Sequence, residues 1–375
     1  MSANIKIGND TLQGVDAVEL ENADALGSYV KFGLGISGGY TVTFVAEGNP
    51  YSIISATAGS AIKEPIPPEV TGSVTGWSTD EAGANLVSFP YTPTSDITLY
   101  AKVSAPKTLE ESTWAEIAQV SANKSWDAMG WQVGDSKTIT LNGTVGTLAL
   151  NNYQCKVYII GFDHNADKEG QGISFGMLEG ADGKQLCLVD QYYDTNTSKV
   201  MAFTMNTTQT NAGGWKAAKM RKTILGSTDV ENGDATPNAI ANPAANTLMA
   251  ALPADLRAVL KPITKYTDNV GNSNEASAIL PAIDYLPLMA EFEVFGVQTQ
   301  ANPNEKTYQA QYEYYKSEKS KIKYKQNDAA SAASWWLRSP LFNNSHYFCN
   351  AFSDRERVVA NYAYYSFGVA PAFLV

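Results

Sequence analysis

The hydrophobic positions in the first third of the chain alternate with polar ones, a pattern typical of β-strands. Tyr40-Thr-Val-Thr-Phe44 alternates with period two, and Ile97-Thr-Leu-Tyr-Ala101 repeats the alternation after a stretch broken by proline and glycine. Residues 36–104 are therefore predicted to form a small all-β module of the β-grasp or immunoglobulin-like type. We assign the rings of Tyr40 and Trp77 to its core rather than to a sugar-binding platform, because a small sheet needs large side chains to bury enough apolar area.

Residues 1–35 alternate only weakly and are rich in glycine. They predict short strands and turns that bury too little apolar surface to stand alone. An attachment or oligomerisation segment and a loosely packed leader are both compatible with this pattern. Between the all-β module and the rest of the chain, Ala105-Pro106-Lys107 predicts a linker.

The pattern changes after this linker, where helical and strand periods alternate. Thr113 and Glu116 have the spacing of a capping box at the start of a helix. The stretches Lys137-Thr-Ile-Thr-Leu141 and Cys155-Lys-Val-Tyr-Ile-Ile160 predict two strands. Residues 108–375 are thus predicted to be an α+β domain in which a helix packs on a small antiparallel sheet.

Further along the same domain, glycine and proline mark the starts of two predicted helices. One begins after Gly213-Gly214, and the other covers residues 254–260 with Pro253 in its first turn. Two long polar stretches, residues 228–246 and 298–307, predict surface loops between these elements.

The chain has 375 residues, of which 44% are hydrophobic, and this is enough for two or three domains with sizeable cores. Its formal net charge of −11 disfavours nucleic acid or an anionic membrane surface as the main partner. No apolar run reaches the roughly 18 residues that span a bilayer, and the first residues do not read as a signal peptide. Release inside a virion by lysis is one route out of the cell that fits these observations. A location in the bacterial cytoplasm is the alternative.

Candidate catalytic chemistry is sparse in this sequence. The three cysteines are too scattered for a disulfide framework or a zinc site, so we predict buried thiols at Cys155, Cys187 and Cys349. His164, in the run Asp163-His-Asn-Ala-Asp167, could belong to a metal or acid–base cluster, but such a run more commonly caps the end of a strand through its side chains. We therefore predict no catalytic residue, no cofactor and no metal site.

Two further charged features have structural interpretations. The lysines between residues 316 and 325 are predicted to form a solvated face rather than a nucleic-acid patch, because the chain around them is acidic. Arg338, set between Leu337 and Ser339, is predicted to be a buried frame residue that pairs with a carboxylate.

Residues 334–375 divide into three unlike parts. Trp335-Trp-Leu-Arg-Ser-Pro340 and Val369-Ala-Pro-Ala-Phe-Leu-Val375 are predicted to be buried strands or strand edges. Between them, tyrosine, phenylalanine, asparagine, serine, histidine and arginine follow neither a helical nor an alternating period. This composition is typical of a binding surface, since aromatic rings give rigid contact area while asparagine and serine adapt their hydrogen bonds.

Three motifs in this segment resemble the variable region of proteins that phage and bacterial retroelements diversify: W-W-L-R-S-P at residues 335–340, N-x-S-x-x-F-C-N at residues 343–350 and G-V-A-P-A-F at residues 368–373. Upstream, I-I-G-F-D-H, N-A-G-G-W-K-A-A-K-M-R, L-P-A-D-L and E-Y-Y-K occur in the same order in an uncharacterised domain family of phages of gut Firmicutes. The resemblance covers residues 110–375 and implies a C-type-lectin-like fold. The earlier motifs Y-T-V-T-F, P-x-P-P, G-W and I-T-L-Y-A-K resemble the β-repeat of internalin-type bacterial surface proteins, which implies a spacer.

In the retroelement family, adenine-directed mutagenesis changes surface residues of the variable region, here residues 341–367. The resemblance implies that the ligand-binding positions are Leu341, Phe342, Asn343, Asn344, His346, Tyr347, Phe352, Asp354, Arg355, Arg357, Tyr362, Tyr364, Tyr365 and Phe367. Ala351, Val358 and Val359 look like further mutated positions. Glu356 departs from the pattern, because a codon of the Asn type cannot reach Glu, although a mutated Lys-type codon could.

The function implied by the resemblance is receptor binding without catalysis, at a phage tail tip or fibre that attaches to a host-cell surface protein or glycan. Other virion tail proteins would be further partners, and such proteins are often homotrimers. The alternatives are an enzyme of the formylglycine-generating type, which shares the lectin-like fold, and a carbohydrate-binding protein of the bacterial surface. Both stay open because fold alone does not decide function.

Overall fold

The computed structural model of the chain describes residues 3–7, 10–15, 39–68, 70, 72–195, 197–228, 233–317 and 319–375. The chain divides into two compact units, Met1–Pro106 and Lys107–Val375, which we call unit 1 and unit 2. The described part of unit 1 is built of strands, and unit 2 combines short helices with several small sheets, so the architecture is mixed α+β. Most of the segment predicted at residues 1–35 lies outside the described residues. In the described part of the chain, no helix is both long enough and apolar enough to cross a membrane.

The strands described in unit 1 are β1 (Ala3–Ile7), β2 (Asp10–Val15), β3 (Gly39–Ala46), β4 (Asn49–Thr57), β5 (Ser73–Ser78), β6 (Leu86–Val87) and β7 (Ile97–Ser104). β1 and β2 form an antiparallel pair. The other five form one sheet in the order β4-β3-β7-β5-β6, in which β3 and β7 run parallel and the other neighbours run antiparallel.

The core of this five-stranded sheet is small. Its buried residues are Val42, Phe44, Ala56, Trp77 and Leu99. The Trp77 ring lies edge-on to the Phe44 ring, with 4.8 Å between the ring centroids. The side chains of Tyr40 and Phe44 lie on the same face of β3. Tyr40, however, is near the start of the strand, outside this cluster, and is half-exposed. Phe44, and not Tyr40 as predicted, therefore supplies the second large ring of the core.

Unit 2 contains more elements, most of them short. Its helices are α1 (Trp114–Asn123), α2 (Ala166–Glu169), α3 (Gly214–Ala217), α4 (Pro237–Ala241), α5 (Leu248–Ala251), α6 (Ala254–Arg257), α7 (Glu291–Phe295) and α8 (Glu313–Lys316), with a π-helical turn at Met220–Ile224 and 3-10 turns at Ala276–Ala278 and Glu305–Thr307. Its strands are β8 (Ser136–Val145), β9 (Leu148–Phe162), β10 (Ile173–Glu179), β11 (Leu186–Cys187), β12 (Ile263–Asp268), β13 (Ile279–Asp284), β14 (Lys323–Lys325), β15 (Asp328–Ala333), β16 (Trp335–Pro340), β17 (Tyr347–Ala351), β18 (Val358–Tyr362) and β19 (Ala372–Leu374).

A four-stranded antiparallel sheet in the order β19-β10-β9-β8 is the largest sheet of unit 2. Helix α1 packs on it through Trp114, whose ring lies edge-on to Phe175 of β10 at 5.6 Å and to Phe373 of β19 at 6.1 Å. Phe175 and Phe373 are paired across the two strands, and their rings stack at 5.1 Å. β19 thus completes the main sheet, although it follows the proposed variable segment in the chain.

Three smaller sheets complete the described part of unit 2: β11-β14-β15, the pair β12-β13, and β16-β17-β18. The last of these is antiparallel throughout, and it carries the W-W-L-R-S-P motif on β16 and much of residues 341–367 on β17 and β18.

The predicted helix starts are confirmed, but two helices are shorter than predicted. The Thr113 hydroxyl accepts the Glu116 N–H at 3.2 Å, and the Glu116 carboxylate accepts the Thr113 N–H at 2.8 Å, so the capping box of α1 is complete. The helix after the glycine pair has only four residues and leads into the π-helical turn. The helix predicted at residues 254–260 ends at Arg257, because the N–H of Lys261 bonds to β19 instead.

The two predicted surface loops differ from the expectation. Residues 229–232 of the first loop lie outside the described residues, and the rest of that loop contains α4. The second loop, residues 298–307, is partly interior, since Ala301, Asn302 and Glu305 are buried. Burial is tolerated there because a carboxylate accepts the backbone N–H groups of the loop, as shown below.

The lysines between residues 316 and 325 do not form one solvated face. Lys323 on β14 is buried, with its Nζ 3.3 Å from the Tyr158 hydroxyl and 5.1 Å from the centroid of the Trp335 ring. Burial without a bonded carboxylate lowers the pKa of Lys323 to about 8. The prediction of a solvated face is therefore wrong for this residue, because the strand turns its side chain inward.

Candidate functional site

Strand β16 is the fixed side of the candidate site, and all of its residues are buried. Arg338 at its centre makes a two-pronged ion pair with Glu293, with Nη1 to Oε2 at 2.5 Å and Nη2 to Oε1 at 2.6 Å. Its Nε also donates to Thr267 Oγ1 at 2.8 Å. The prediction of a buried arginine that pairs with a carboxylate is confirmed.

The same carboxylate belongs to a buried network of charges. Lys265 on β12 donates to Glu293 Oε1 and to the Tyr312 hydroxyl, each at 2.9 Å, and it also contacts Glu169. Burial opposes the charge on Glu293, but Arg338 and Lys265 outweigh it and hold the pKa of Glu293 well below its usual range. Removing one partner from such a network costs about 3 to 5 kcal/mol, so it holds β16 in one position.

A second buried carboxylate, Glu291 on α7, organises the loop that supports the start of residues 341–367. Its two oxygens accept the N–H groups of Thr299, Gln300 and Ala301 at distances of 2.6 to 3.2 Å. The carbonyl of Gln300 in turn accepts the N–H of Phe342 at 3.2 Å. The first turn of residues 341–367 therefore rests on a loop whose backbone is held by a buried carboxylate.

Glu305 connects the same region to β16. Its carboxylate accepts the Asp268 N–H at 2.9 Å and the Ser339 hydroxyl at 2.7 Å, and Gln309 Nε2 lies at 3.1 Å. Because the group is fully buried, desolvation outweighs these hydrogen bonds and raises the pKa of Glu305 to about 7.

Asn211 tethers the turn between β16 and β17. Its Nδ2 lies 2.9 Å from the carbonyl oxygens of Asn344 and Tyr347 and 3.3 Å from that of Leu341. The side chain is buried and supplies the hydrogen-bond donor for the carbonyls of Leu341 and Asn344, whereas the Tyr347 carbonyl also accepts the Leu341 N–H at 3.0 Å. Asn211 opens the N-A-G-G-W-K-A-A-K-M-R motif, but no pattern of residue types around it indicates this role.

Trp215 and Arg221 of the same motif converge on one aspartate. Trp215 Nε1 donates to Asp284 Oδ2 at 2.8 Å, and Arg221 Nε donates to Asp284 Oδ1 at 2.6 Å. All three side chains are buried. Trp215 and Arg221 therefore belong to the frame that supports residues 341–367, and the exposed residues of the motif are Ala212, Lys216 and Ala217.

The open side of the sheet carries a cluster of four tyrosines. Tyr362, at the end of β18, lies 4.6 Å from Tyr347, 5.6 Å from Tyr364 and 5.2 Å from Tyr365, measured between ring centroids. Each of the four is half-exposed. We call these four residues the tyrosine cluster. A hydrogen bond with Tyr362 is the main reason that the pKa of Tyr347 is raised.

The tip of the β17–β18 hairpin carries the charged residues of the segment. The Arg357 guanidinium lies over the Phe352 ring at 4.9 Å, and the side chain of Arg355 is 71% exposed. Glu356 accepts the N–H of Lys321 at 3.2 Å. This contact gives Glu356, the residue that departs from the codon pattern, a role in anchoring the tip.

The predicted contact residues differ in solvent exposure and are exposed, half-exposed or buried. Asn343, His346, Asp354, Arg355 and Arg357 are exposed, and Phe342, Asn344, Tyr347, Phe352, Tyr362, Tyr364 and Tyr365 are half-exposed.

Leu341 and Phe367 belong to the interior, which corrects their prediction as surface residues. Leu341 forms a β-bridge with Ala301, and the Phe367 ring lies edge-on to Trp336 at 4.9 Å. Ala351, another residue that looked mutated, is also buried. These three positions lie where the segment enters, crosses or leaves the sheet.

The contacts of His164 are with residues outside this surface. Its Nδ1 lies 3.2 Å from Glu313 Oε2, and its ring stacks on Tyr312 at 3.8 Å. The neighbouring Asp163 accepts the Gly172 N–H at 2.9 Å, which is the turn-capping role preferred above. Within the described ranges, no group of three or more His, Cys, Asp or Glu side chains could hold a metal ion.

The three cysteines are free and buried, as predicted. Burial raises the pKa of the Cys155 and Cys187 thiols to about 12 and that of Cys349 well above its usual value. Such thiols are poor nucleophiles at neutral pH, so they act as packing groups.

Two family models match the chain. Residues 40–102 match the Listeria-Bacteroides repeat domain, and residues 206–375 match a domain of unknown function (DUF6273). Neither matching model is that of a retroelement variable protein or a C-type lectin. A search of curated proteins found no match. The first match bears out the bacterial β-repeat, and the second covers every element of the candidate site from Asn211 to the tyrosine cluster.

Proposed function

We propose that unit 2 is a ligand-binding domain whose contact surface is formed by residues 341–367. The observation that carries the proposal is the tyrosine cluster: four half-exposed rings, of which Tyr362 contacts the other three. Aromatic rings supply large contact area at a low entropy cost and are enriched among the residues that dominate binding energy. Arginine shares that enrichment, and Arg355 and Arg357 lie on the same hairpin.

The contrast between the fixed backbone and the exposed side chains of this segment supports the proposal. The backbone of the segment is fixed by residues outside it, among them Asn211 and Glu291. Exposed side chains can change at a cost within about 0.5 kcal/mol when the frame does not depend on them. A surface of this kind can therefore be varied without loss of the fold.

The finer form of the proposal follows from the sequence motifs. Unit 2 has a C-type-lectin-like fold, and retroelement mutagenesis diversifies its contact surface. The protein is a receptor-binding component of a phage tail tip or fibre, located in the virion, and it binds a host-cell surface protein or glycan. Other tail proteins, and two further copies of the chain in a homotrimer, are its remaining partners. The Listeria-Bacteroides repeat acts as a spacer.

A genomic observation tests the diversification. We expect a near-copy of the segment that encodes residues 335–375 beside a reverse-transcriptase gene, with adenines at the codons of exposed residues. A genome that lacks both features would remove the retroelement from the proposal.

A binding titration tests the surface. The full chain would be labelled and titrated onto a panel of gut Firmicute cells, with Tyr347, Tyr362, Tyr364 and Tyr365 replaced singly by alanine. At least two of these variants should lose about 2 kcal/mol of binding free energy, or roughly 30-fold in affinity. Tyr51→Ala is the matched control, because Tyr51 is an exposed tyrosine of unit 1. Equal losses at Tyr51, or no loss in any of the four tyrosine variants, would overturn the assignment.

A further inference from the structure

Strand β18 forms one edge of the sheet β16-β17-β18. It pairs with β17 without a bulge, from Tyr347 opposite Tyr362 to Ala351 opposite Val358. All of its residues are half-exposed, whereas the residues of β17 beyond Tyr347 are buried. The edge of the sheet therefore lies at the surface, inside the proposed contact segment.

The hydrogen bonds on either side of β18 show which of its backbone groups face outward. Ala363 N–H bonds to His346 O at 2.9 Å, and Phe352 N–H bonds to Arg357 O at 3.0 Å. In an antiparallel ladder the residues that bond to the neighbouring strand alternate. Residues 359 and 361 therefore bond to β17 as 357 and 363 do, and residues 358, 360 and 362 direct their N–H and C=O groups away from the sheet.

These outward groups are largely unused. Among the described residues, no hydrogen-bond partner is found for the outward N–H and C=O groups of Val358 and Ala360, while the carbonyl of Tyr362 accepts the Tyr365 N–H at 2.9 Å. Edge strands are usually protected by a charged residue, a proline or a bulge. β18 has the sequence Val-Val-Ala-Asn-Tyr and a regular register, so it has none of the three.

We propose that the ligand of this surface is a polypeptide that adds an extended strand to the outer edge of β18. The inference rests on the proposed function and narrows its partner from a protein or glycan to a protein segment. The alternating N–H and C=O groups of Val358 and Ala360 match the spacing of another backbone, which a glycan does not reproduce. The tyrosine cluster at one end of β18, and Phe352 with Arg357 at the other, contact the side chains of the added strand.

This mode of binding suits a surface whose side chains vary. The main-chain hydrogen bonds supply affinity that does not depend on sequence, and the side chains of the hairpin supply specificity. Substitution of Val358, Val359 or Tyr362 changes the specificity and leaves the backbone pairing in place.

Ala360→Pro tests the inference, with Ala360→Ser as the matched control. Proline removes the outward N–H of residue 360 but no bond of the ladder, and serine keeps that N–H at similar size. A library of linear 12-residue peptides displayed on filamentous phage would be selected on the immobilised full chain. Selected peptides should bind Ala360→Ser within about twofold of wild type and Ala360→Pro at least about tenfold more weakly. The melting temperatures of the two variants should agree within about 5 °C.

A second experiment, with synthetic peptides, tests strand addition even if Ala360→Pro does not fold. Two versions of one selected peptide would carry N-methyl groups on alternate amides. One version would carry them at the odd-numbered residues and the other at the even-numbered residues. Strand addition requires that one version loses binding at least about tenfold while the other stays within about threefold. Equal effects of the two versions, failure to select any peptide, or glycan-array binding without peptide binding would overturn the inference. Loss of cell binding in the tyrosine variants but not in Ala360→Pro would leave the proposed function standing without strand addition.

Discussion

Strands β16 and β18 lie in one three-stranded sheet and differ in almost every physical respect. β16 buries all of its residues and holds Arg338 in a closed charge network, while β18 is half-exposed along its whole length and keeps backbone groups unpaired. The two edges of this sheet therefore have separate tasks. One edge fixes the position of the sheet within unit 2, and the other presents groups to solvent.

The largest expected loss of stability concerns β16. Trp336→Ala removes a fully buried ring whose Nε1 donates to Phe203 O at 3.0 Å. We expect the free energy of unfolding of unit 2 to fall by about 3 to 5 kcal/mol, because the lost ring leaves a cavity. Chemical denaturation of the full chain measures the change. Trp336→Phe, which keeps much of the apolar volume, should lose clearly less, and equal losses would contradict the cavity as the cause.

The second effect depends on pH and concerns Glu305, which bonds to Ser339 of β16. Burial raises the pKa of Glu305 from its usual 4.5 to about 7, so the folded state holds a proton that the unfolded state has released. The stability contribution of this group is therefore full below pH 4.5 and is lost as the pH rises toward 7, by about 2 to 3 kcal/mol.

The difference in unfolding free energy between wild type and Glu305→Gln isolates this contribution, because all other titrating groups are shared. Wild type should lose stability relative to the glutamine variant between pH 5 and pH 8. A difference that stays constant, or a wild type that gains stability relative to the glutamine variant across this range, would contradict the raised pKa of Glu305.

A smaller loss of stability is expected when the turn between β16 and β17 loses its tether. Asn211→Ala removes the side-chain donor of the Leu341 and Asn344 carbonyls in the turn between β16 and β17, which should cost about 1 to 3 kcal/mol. Thermal denaturation measures it. Asn242→Ala is the matched control, because the Asn242 amide bonds only at the exposed surface, to Asn238 at 3.0 Å, and its loss should stay within about 0.5 kcal/mol. A comparable loss in both variants would argue against a special role for the tether.

The smallest effect is expected on the open edge. Tyr364→Ser replaces a half-exposed ring, so the free energy of unfolding should stay within about 0.5 kcal/mol of wild type. The same denaturation series measures it. A loss near that of Trp336→Ala would place Tyr364 in the frame and would erase the contrast between the edges.

Local signals in the sequence predicted local structure well. The capping box of Thr113 and Glu116 and the buried state of Arg338 could be predicted, because both follow from immediate neighbours and residue type. The partner of Arg338 could not, because Glu293 lies 45 positions away and Lys265 a further 28 positions before it. Contacts of that range depend on how the sheets pack, which no short pattern records.

The candidate surface shows the same limit. The composition of residues 341–367 predicted a binding segment as a whole, but it could not separate Leu341 and Phe367, which are buried, from Tyr347 and Tyr362, which are half-exposed. All four are large apolar or aromatic residues in a stretch without period. Only the positions at which the segment enters and leaves the sheet decide which of them point inward.

The pairing of β19 with β10 has a genetic consequence. A stop codon or a frameshift within residues 341–367 would delete or scramble β19 and so remove Phe373 from its stack on Phe175. The main sheet would then lack an edge strand, and the damaged product would be exposed to cellular proteases. A substitution that keeps the reading frame leaves β19 intact. The order of elements along the chain therefore makes the main sheet depend on an uninterrupted reading frame through the hairpin.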